Sequence, residues 1–259
     1  MEENLMGDIL QINNLSISLK QRNIVEGISF SINKGDAVLL SGENGIGKST
    51  ILKTIMGLET ADRKVNGEIL YCDYGNILNL DIDKLQKFRS EIAYVQQKDE
   101  YSDMGNIQVR DIISECSESY SGKSLNYSEV NDLIDEWIPR KDNNKRVFDS
   151  KSKPGKFSGG EQRLLSVLSV IATRSGAKLF IIDEPLNNLD FINARNISNI
   201  INKVVRDNSE MGLLMISHCR IFPFINREIK LTYDGIVELD GSYTCHSCFG
   251  EPNKNGEYV

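Results

Sequence analysis

Residues 41–50, SGENGIGKST, combine three glycines, a lysine and hydroxyls in ten positions. Such a stretch suits a guest that needs backbone N–H groups close by and a cation within reach. Gly42, Gly45, Gly47, Lys48 and Ser49 satisfy the G-x-x-x-x-G-K-[ST] pattern. Glycines let N–H groups curl around an anion without Cβ clashes, and a following helix N-terminus adds partial positive charge. Lys48 is expected to reach the β- and γ-phosphates of a bound nucleotide, and the Ser49 hydroxyl to ligate Mg²⁺. Glu43, Asn44, Ile46 and Thr50 complete the nucleotide-binding stretch. A magnesium-bound phosphate also needs a carboxylate at the end of a neighbouring strand. LFIIDEP (179–185) supplies Asp183 where an apolar run ends, with Glu184 beside it to accept a proton from, or orient, an attacking water. Alone, LFIIDEP would pass for an ordinary strand with acidic residues at its end, whereas the loop in its strand-to-helix context leaves little room for a plain glycine-rich turn. Together they point to phosphate chemistry.

Elements that could position these groups follow from periodicity. Leu15, Ile17 and Leu19 alternate, as do Ile28, Phe30 and Ile32, which predicts half-buried antiparallel strands. DAVLL (36–40) is a continuous apolar run, the pattern of a strand buried on both faces. KSTILKTIMG then reads as a helix terminated by Gly57. LFII (179–182) and GLLMIS (212–217) are further central strands, and Ile197, Ile200, Ile201 and Val204 form the apolar stripe of a helix lying on a sheet. Strands and helices alternating in this way predict an α/β fold around a largely parallel sheet. Residues 98–157 differ. They are polar, with short helical patterns in VRDIISEC and EVNDLIDEWI, and SKSKPGK (150–156) reads as a flexible connector leading out of them. Asp234-Gly235, between IKLTY and IVEL, is a hairpin signal.

FSGGEQR (157–163) places Ser-Gly-Gly before an apolar helix marked by Leu164, Val167, Leu168 and Ile171, a second anion-binding helix terminus. With the glycine loop and the Asp-Glu strand, it closely resembles the signature of the ABC ATPases, the nucleotide-binding subunits of ABC transporters. The resemblance runs from about residue 8 to 241, with its motifs in family order. It implies a P-loop NTPase core with a mostly parallel central sheet, an N-terminal antiparallel β subdomain and an inserted α-helical subdomain. The core would comprise residues 1–97 and 158–241, the insert 98–157, and a C-terminal tail 242–259.

The same resemblance implies ATP and Mg²⁺ as cofactors and assigns roles. YVQQ becomes a loop in which Gln97 senses Mg²⁺ and the lytic water. NNLD ends at Asp190, the D-loop residue, and ISHC places His218 near the γ-phosphate. Lys48, Gln97, Glu184 and His218 would form the catalytic set, and Ser49, Gln97 and Asp183 the metal set. Two such cassettes pair head to tail, so that Ser158, Gly159, Gly160 and Glu161 of one face the nucleotide held by the other. Two departures stand out. Leu19 occupies the position where the family usually carries an aromatic to stack on adenine, and Phe157 and Glu161 replace the commonest Leu and Gln of the signature.

The chain has 259 residues, a formal charge of −7 and a pI near 5.1, which argues against general attraction to nucleic acid or an anionic bilayer. No stretch approaches the roughly 20 apolar residues of a spanning helix. The start, MEENLMGDIL, lacks the pattern of a secretion signal, and the cysteines at 72, 116, 219, 245 and 248 form no disulfide framework. A cytoplasmic protein, peripheral on the inner face of the cell membrane, is expected. Its partners would be separate membrane-spanning permease subunits, docked on 98–157, and a second ATP-binding subunit, with no nucleic acid. The alternative reading is a soluble ABC ATPase in a cytosolic assembly process such as iron–sulfur cluster assembly. A third, a nucleotide-binding scaffold that does not hydrolyse, fits poorly with the complete set of Lys48, Gln97, Asp183, Glu184 and His218. Cys245, His246 and Cys248 could ligate a metal, but no second pair of ligands accompanies them.

Overall fold

The computed structural model describes residues 8–20, 22–58, 62–97, 105–141, 143–218 and 222–240. Two sheets organise them. β1 (Asp8–Leu19) and β2 (Arg22–Asn33) pair antiparallel, and β1 also pairs antiparallel with β4 (Arg63–Tyr71), which carries the short β5 (Gly75–Asn76) at its far edge. In this four-stranded sheet Leu15, Ile17, Ile28 and Ile32 are buried as their alternation requires. Leu19 is not; it lies at the end of β1, exposed.

The second sheet has six strands in the order β10-β9-β3-β8-β7-β6. These are β3 (Ala37–Gly42), β6 (Ala93–Val95), β7 (Leu179–Asp183), β8 (Gly212–Ile216), β9 (Arg227–Thr232) and β10 (Gly235–Asp240). All neighbours in it run parallel except β9 and β10. Two apolar cores sandwich it. Leu179 and Ile181 of β7 face a core shared with the antiparallel sheet and α1 (Lys48–Ile55), while Phe180 and Ile182 face α5 (Gly159–Thr173) and α6 (Phe191–Asp207). Successive side chains of a strand point to opposite faces, so burial on both sides is what makes the run continuous rather than alternating. Ile197, Ile200, Ile201 and Val204 lie on the buried face of α6, as their spacing predicts. Gly57, in the left-handed region at φ 59°, ends α1 by donating its N–H to the Thr54 carbonyl.

The structure differs from the sequence expectation in several places. β4, α2 (Ile82–Glu91) and β6 carry no clear periodic signal. α2 buries only Phe88, and β6 is a three-residue strand. The β9–β10 hairpin forms, but its turn residues are Tyr233 and Asp234, because Gly235 already pairs with Thr232. Residues 150–156 are tied down rather than a flexible connector. Ser150 and Pro154 are buried, and the Ser150 and Ser152 carbonyls accept from the first two N–H groups of α3 (Val109–Ser121). α3 and α4 (Tyr127–Trp137) pack onto α5 through Ile113, Val130 and Ile134. No described helix is long and apolar enough to cross a membrane.

Candidate nucleotide site

The loop after β3 is shaped by what cannot have a side chain. Gly42 has φ 140°, and a Cβ there would lie 2.6 Å from the Leu231 carbonyl oxygen. Gly47, at φ 116°, caps α1, and a Cβ would press on Ile24 and Val25 methyls at 2.9 Å. Both positions therefore require glycine. Lys48 Nζ donates to the Gly42 and Glu43 carbonyls at 2.9 Å each, which curls the loop around its own cation. Burial pulls the Lys48 ammonium below its ordinary pKa, while the Glu184 and Asp183 carboxylates act in the opposite sense. Ile46, counted with the binding stretch by sequence, turns its side chain into the second core and leaves only its backbone to the loop.

Asp183, at the end of β7, is wholly buried. The Ser49 hydroxyl donates to its Oδ1 at 3.2 Å, and its Oδ2 has no partner among the described residues. Burial pushes the carboxyl pKa up, and the Ser49 hydrogen bond pulls the other way. A buried carboxylate oxygen without a donor, beside a hydroxyl, is the donor set that a hard divalent cation takes. The residues fit Mg²⁺.

Glu184 follows in a left-handed conformation, φ 47°, with its N–H donating to the Ile216 carbonyl at 2.9 Å. Its carboxylate gathers two amide donors and an imidazole. Gln97 Nε2 reaches Oε2 at 2.9 Å, Asn187 Nδ2 reaches the same oxygen at 3.1 Å, and His218 Nε2 lies 3.2 Å from Oε1. These groups share one cleft of about 560 Å³, lined by Asn44, Gly45, Gly47, Lys48, Ser49, Thr50, Gln97, Glu184, Asn187 and His218, with Ile24 at its edge. Asp183 stands behind Ser49, out of the lining. The arrangement can bind an anion chain, hold a cation against it and present a fixed carboxylate to a water.

Ser158, Gly159, Gly160 and Glu161 do not line that cleft. Ser158 caps α5, accepting from the Glu161 N–H at 3.2 Å, while Glu161 Oε2 accepts from the Ser158 N–H at 3.1 Å. Glu161 thus completes a reciprocal helix cap, a role open to either Glu or Gln at this position. Phe157 stacks on Phe148 at 5.3 Å. Asp190 caps α6 through the Asn193 N–H at 2.9 Å, and a Cβ at Gly160 would lie 2.6 Å from Asn193 Nδ2. The signature tip and the Asp190 turn of one chain therefore touch.

Sequence reasoning missed Asn187 and Arg163. Asn187 stands three residues after Glu184, the spacing at which an amide can return to a preceding carboxylate. Arg163 lies inside the quoted FSGGEQR motif, but nothing local shows that it turns inward. Cys245, His246 and Cys248 lie outside the described residues.

The family model described as ABC transporter matches residues 25–187. The lipoprotein-releasing system ATP-binding protein LolD of Treponema denticola is 31% identical over 202 residues, covering 75% of this chain and 80% of that protein. The oligopeptide transport ATP-binding protein OppF of Lactococcus lactis is 28% identical over 242 residues, covering 88% and 68%. Among solved structures, an ATP-binding subunit of an ABC transporter superposes with a TM-score of 0.70 at 22% identity, over 90% of each chain. A dimeric bacterial ABC transporter cassette does so with a TM-score of 0.71 at 19% identity, over 89% and 98%.

Proposed function

The chain belongs to the ABC transporter family as an ATP-binding subunit, and from that premise we propose that two copies pair head to tail and hydrolyse ATP to drive separate membrane-spanning subunits. The observation that carries this reading is a division of labour within one chain. Glu184, Gln97, Asn187, His218 and residues 44–50 of the loop share a cleft, while the helix tip at Ser158–Gly160 does not line it. A second copy brings its tip to the terminal phosphate that the first copy holds.

Lys48 leaves its two loop carbonyls to bind the β- and γ-phosphates. Ser49 and Asp183, with Gln97, would hold Mg²⁺, which when bound neutralises phosphate charge. Glu184 accepts a proton from the attacking water as its oxygen bonds to the γ-phosphorus and the bond to the β-phosphate oxygen breaks. Gln97, Asn187 and His218 keep that carboxylate from rotating away, and His218 reaches the same region from a half-exposed position (51%).

Closing an open pair from 1:99 to 99:1 takes about 5.5 kcal/mol. Hydrogen bonds to charged groups contribute roughly 1.5–3 kcal/mol each, so a few of them across two nucleotides suffice. Cleavage of the γ-phosphate removes their common acceptor and the pair reopens. Residues 98–157, which lead from Gln97 to the signature, form the docking surface for the membrane subunits on the inner face of the membrane.

The test is Glu184→Gln. It should keep MgATP binding by calorimetry, lose about 10²- to 10⁴-fold in turnover, and accumulate as a dimer on size-exclusion chromatography with ATP. Near-normal turnover removes Glu184 from the proton-accepting role, and a variant that stays monomeric at saturating ATP removes the paired site.

A further inference from the structure

Arg163 stands one turn into α5, 4% exposed and away from the nucleotide cleft. Its guanidinium is spent on backbone carbonyls. Nη1 donates to Gln96, the residue before Gln97. Nη2 donates to the Asp183 carbonyl at 2.9 Å and the Glu184 carbonyl at 3.2 Å, and Nε to the Pro185 carbonyl at 3.3 Å. One planar fork therefore joins the loop that carries Gln97 to the turn that carries Glu184. Arginine suits this because its donors leave in fixed directions, whereas a lysine ammonium would serve as a point charge.

The turn it holds needs holding. A non-glycine residue with φ 47° costs roughly 1–2 kcal/mol and persists only where its surroundings over-determine it. At Glu184 the over-determination is visible: the N–H is fixed by Ile216, and the carbonyls of Asp183, Glu184 and Pro185 all face the same cation. Burying that cation would be costly without such acceptors. The helix supplying it is the one whose tip is Ser158.

We propose that Arg163 is a positioning residue for Glu184 and Gln97, and that it makes their two loops and the Ser158 helix tip one rigid body. Seating of a chain's tip on its partner's nucleotide is then felt at that chain's own Glu184. This rests on the reading above that the chain hydrolyses ATP as a pair, and the wild-type assay in the same experiment tests the hydrolysis separately.

Arg163→Met and Arg163→Lys are compared with the wild-type chain for MgATP affinity by calorimetry, for kcat and KM, and for thermal melting. Arg163→Met should keep affinity and KM within about threefold and lose roughly 10- to 100-fold in kcat, the scale of a misplaced catalytic group. Arg163→Lys should recover part of that loss, since it keeps the charge without the fork. A residue that only supported the fold would lower the melting temperature and leave kcat per bound site unchanged. That result, or two variants that melt without a cooperative transition, overturns the proposal by making Arg163 a folding residue. A wild-type chain that binds MgATP but never hydrolyses it overturns the functional reading and this inference together, and the wild-type assay alone identifies that case.

Discussion

The Ser49 hydroxyl donates to Asp183 Oδ1 at 3.2 Å across 134 positions of sequence, and the other oxygen of that fully buried carboxylate has no donor among the described residues. The pair joins the start of α1 to the end of β7. An acceptor left without a donor in the interior costs about 1–3 kcal/mol, and a bound cation would offset that cost.

Asp183→Asn removes a buried charge that desolvation and the neighbouring Glu184 carboxylate disfavour, and should raise the melting temperature of the protein without nucleotide. Each kcal/mol recovered is worth about 2–4 °C in a domain of this size class. The same variant should lose the additional stabilisation that Mg²⁺ gives over ATP with EDTA. Scanning calorimetry in both conditions checks it, and an unchanged magnesium response would count against the Ser49–Asp183 assignment.

Lys48→Ala removes the cation around which residues 42–43 curl. One charge-assisted bond lost at roughly 1.5–3 kcal/mol corresponds to about 10- to 150-fold in dissociation constant. Calorimetric titration with MgATP measures this directly. Unchanged affinity contradicts the loop assignment.

Gly160→Ala puts a methyl 2.6 Å from Asn193 Nδ2 and 3.1 Å from Asp190 Oδ2. Asn193 can swing aside only by giving up its 2.6 Å side-chain bond to Asp190. The expected outcome is a reduction of ATPase activity of tenfold or more (about 1.4 kcal/mol), with MgATP affinity of the separate chains preserved, because the glycine loop is untouched. Loss of affinity in step with activity would show that the tip acts within its own chain.

Asp135 accepts from both Arg146, at 2.6 and 2.8 Å, and Arg140, at 2.7 and 3.2 Å. The hydrogen bonds from Arg146 and then Arg140 hold its carboxyl at about 2, below its ordinary 3.8. A depressed folded-state pKa means stability that is fully present above about pH 4 and is lost as pH falls through 2. Asp135→Asn should therefore melt below wild type at pH 7, with the difference shrinking between pH 4 and 2. A difference independent of pH across that window would assign the effect to packing.

Much of the site could be read from sequence because its chemistry is written locally. Lys48, Ser49, Gln97, Asp183, Glu184 and His218, named from motifs, do lie around one cleft or directly behind it. The cleft's remaining contributors could not be read. Asn187 sits in a run of polar residues with nothing to mark it, and Arg163 looks like any arginine after a helix start until the fold turns it toward the carbonyls of Gln96, Asp183, Glu184 and Pro185. Elements followed the same rule. β3, β7 and β8 are legible as apolar runs because both their faces are covered, whereas β6 is too short to show a period and α2 fully buries only Phe88. The stretch 150–156 looked like a linker from its composition, yet its carbonyls satisfy the open N-terminus of α3, a debt visible only once the helix is in place.

By itself, then, the sequence determined the glycine-rich loop, the strand-end carboxylates and the helix tip at Ser158, since each depends on residues that are neighbours along the chain and on backbone freedom set by residue type. Tertiary structure alone decided which groups meet Glu184, which way Ile46 and Arg163 face, and that the Ser158 tip lies outside the cleft of its own chain. Those outcomes depend on directions between segments brought together by the buried sheet, and no local spacing encodes them.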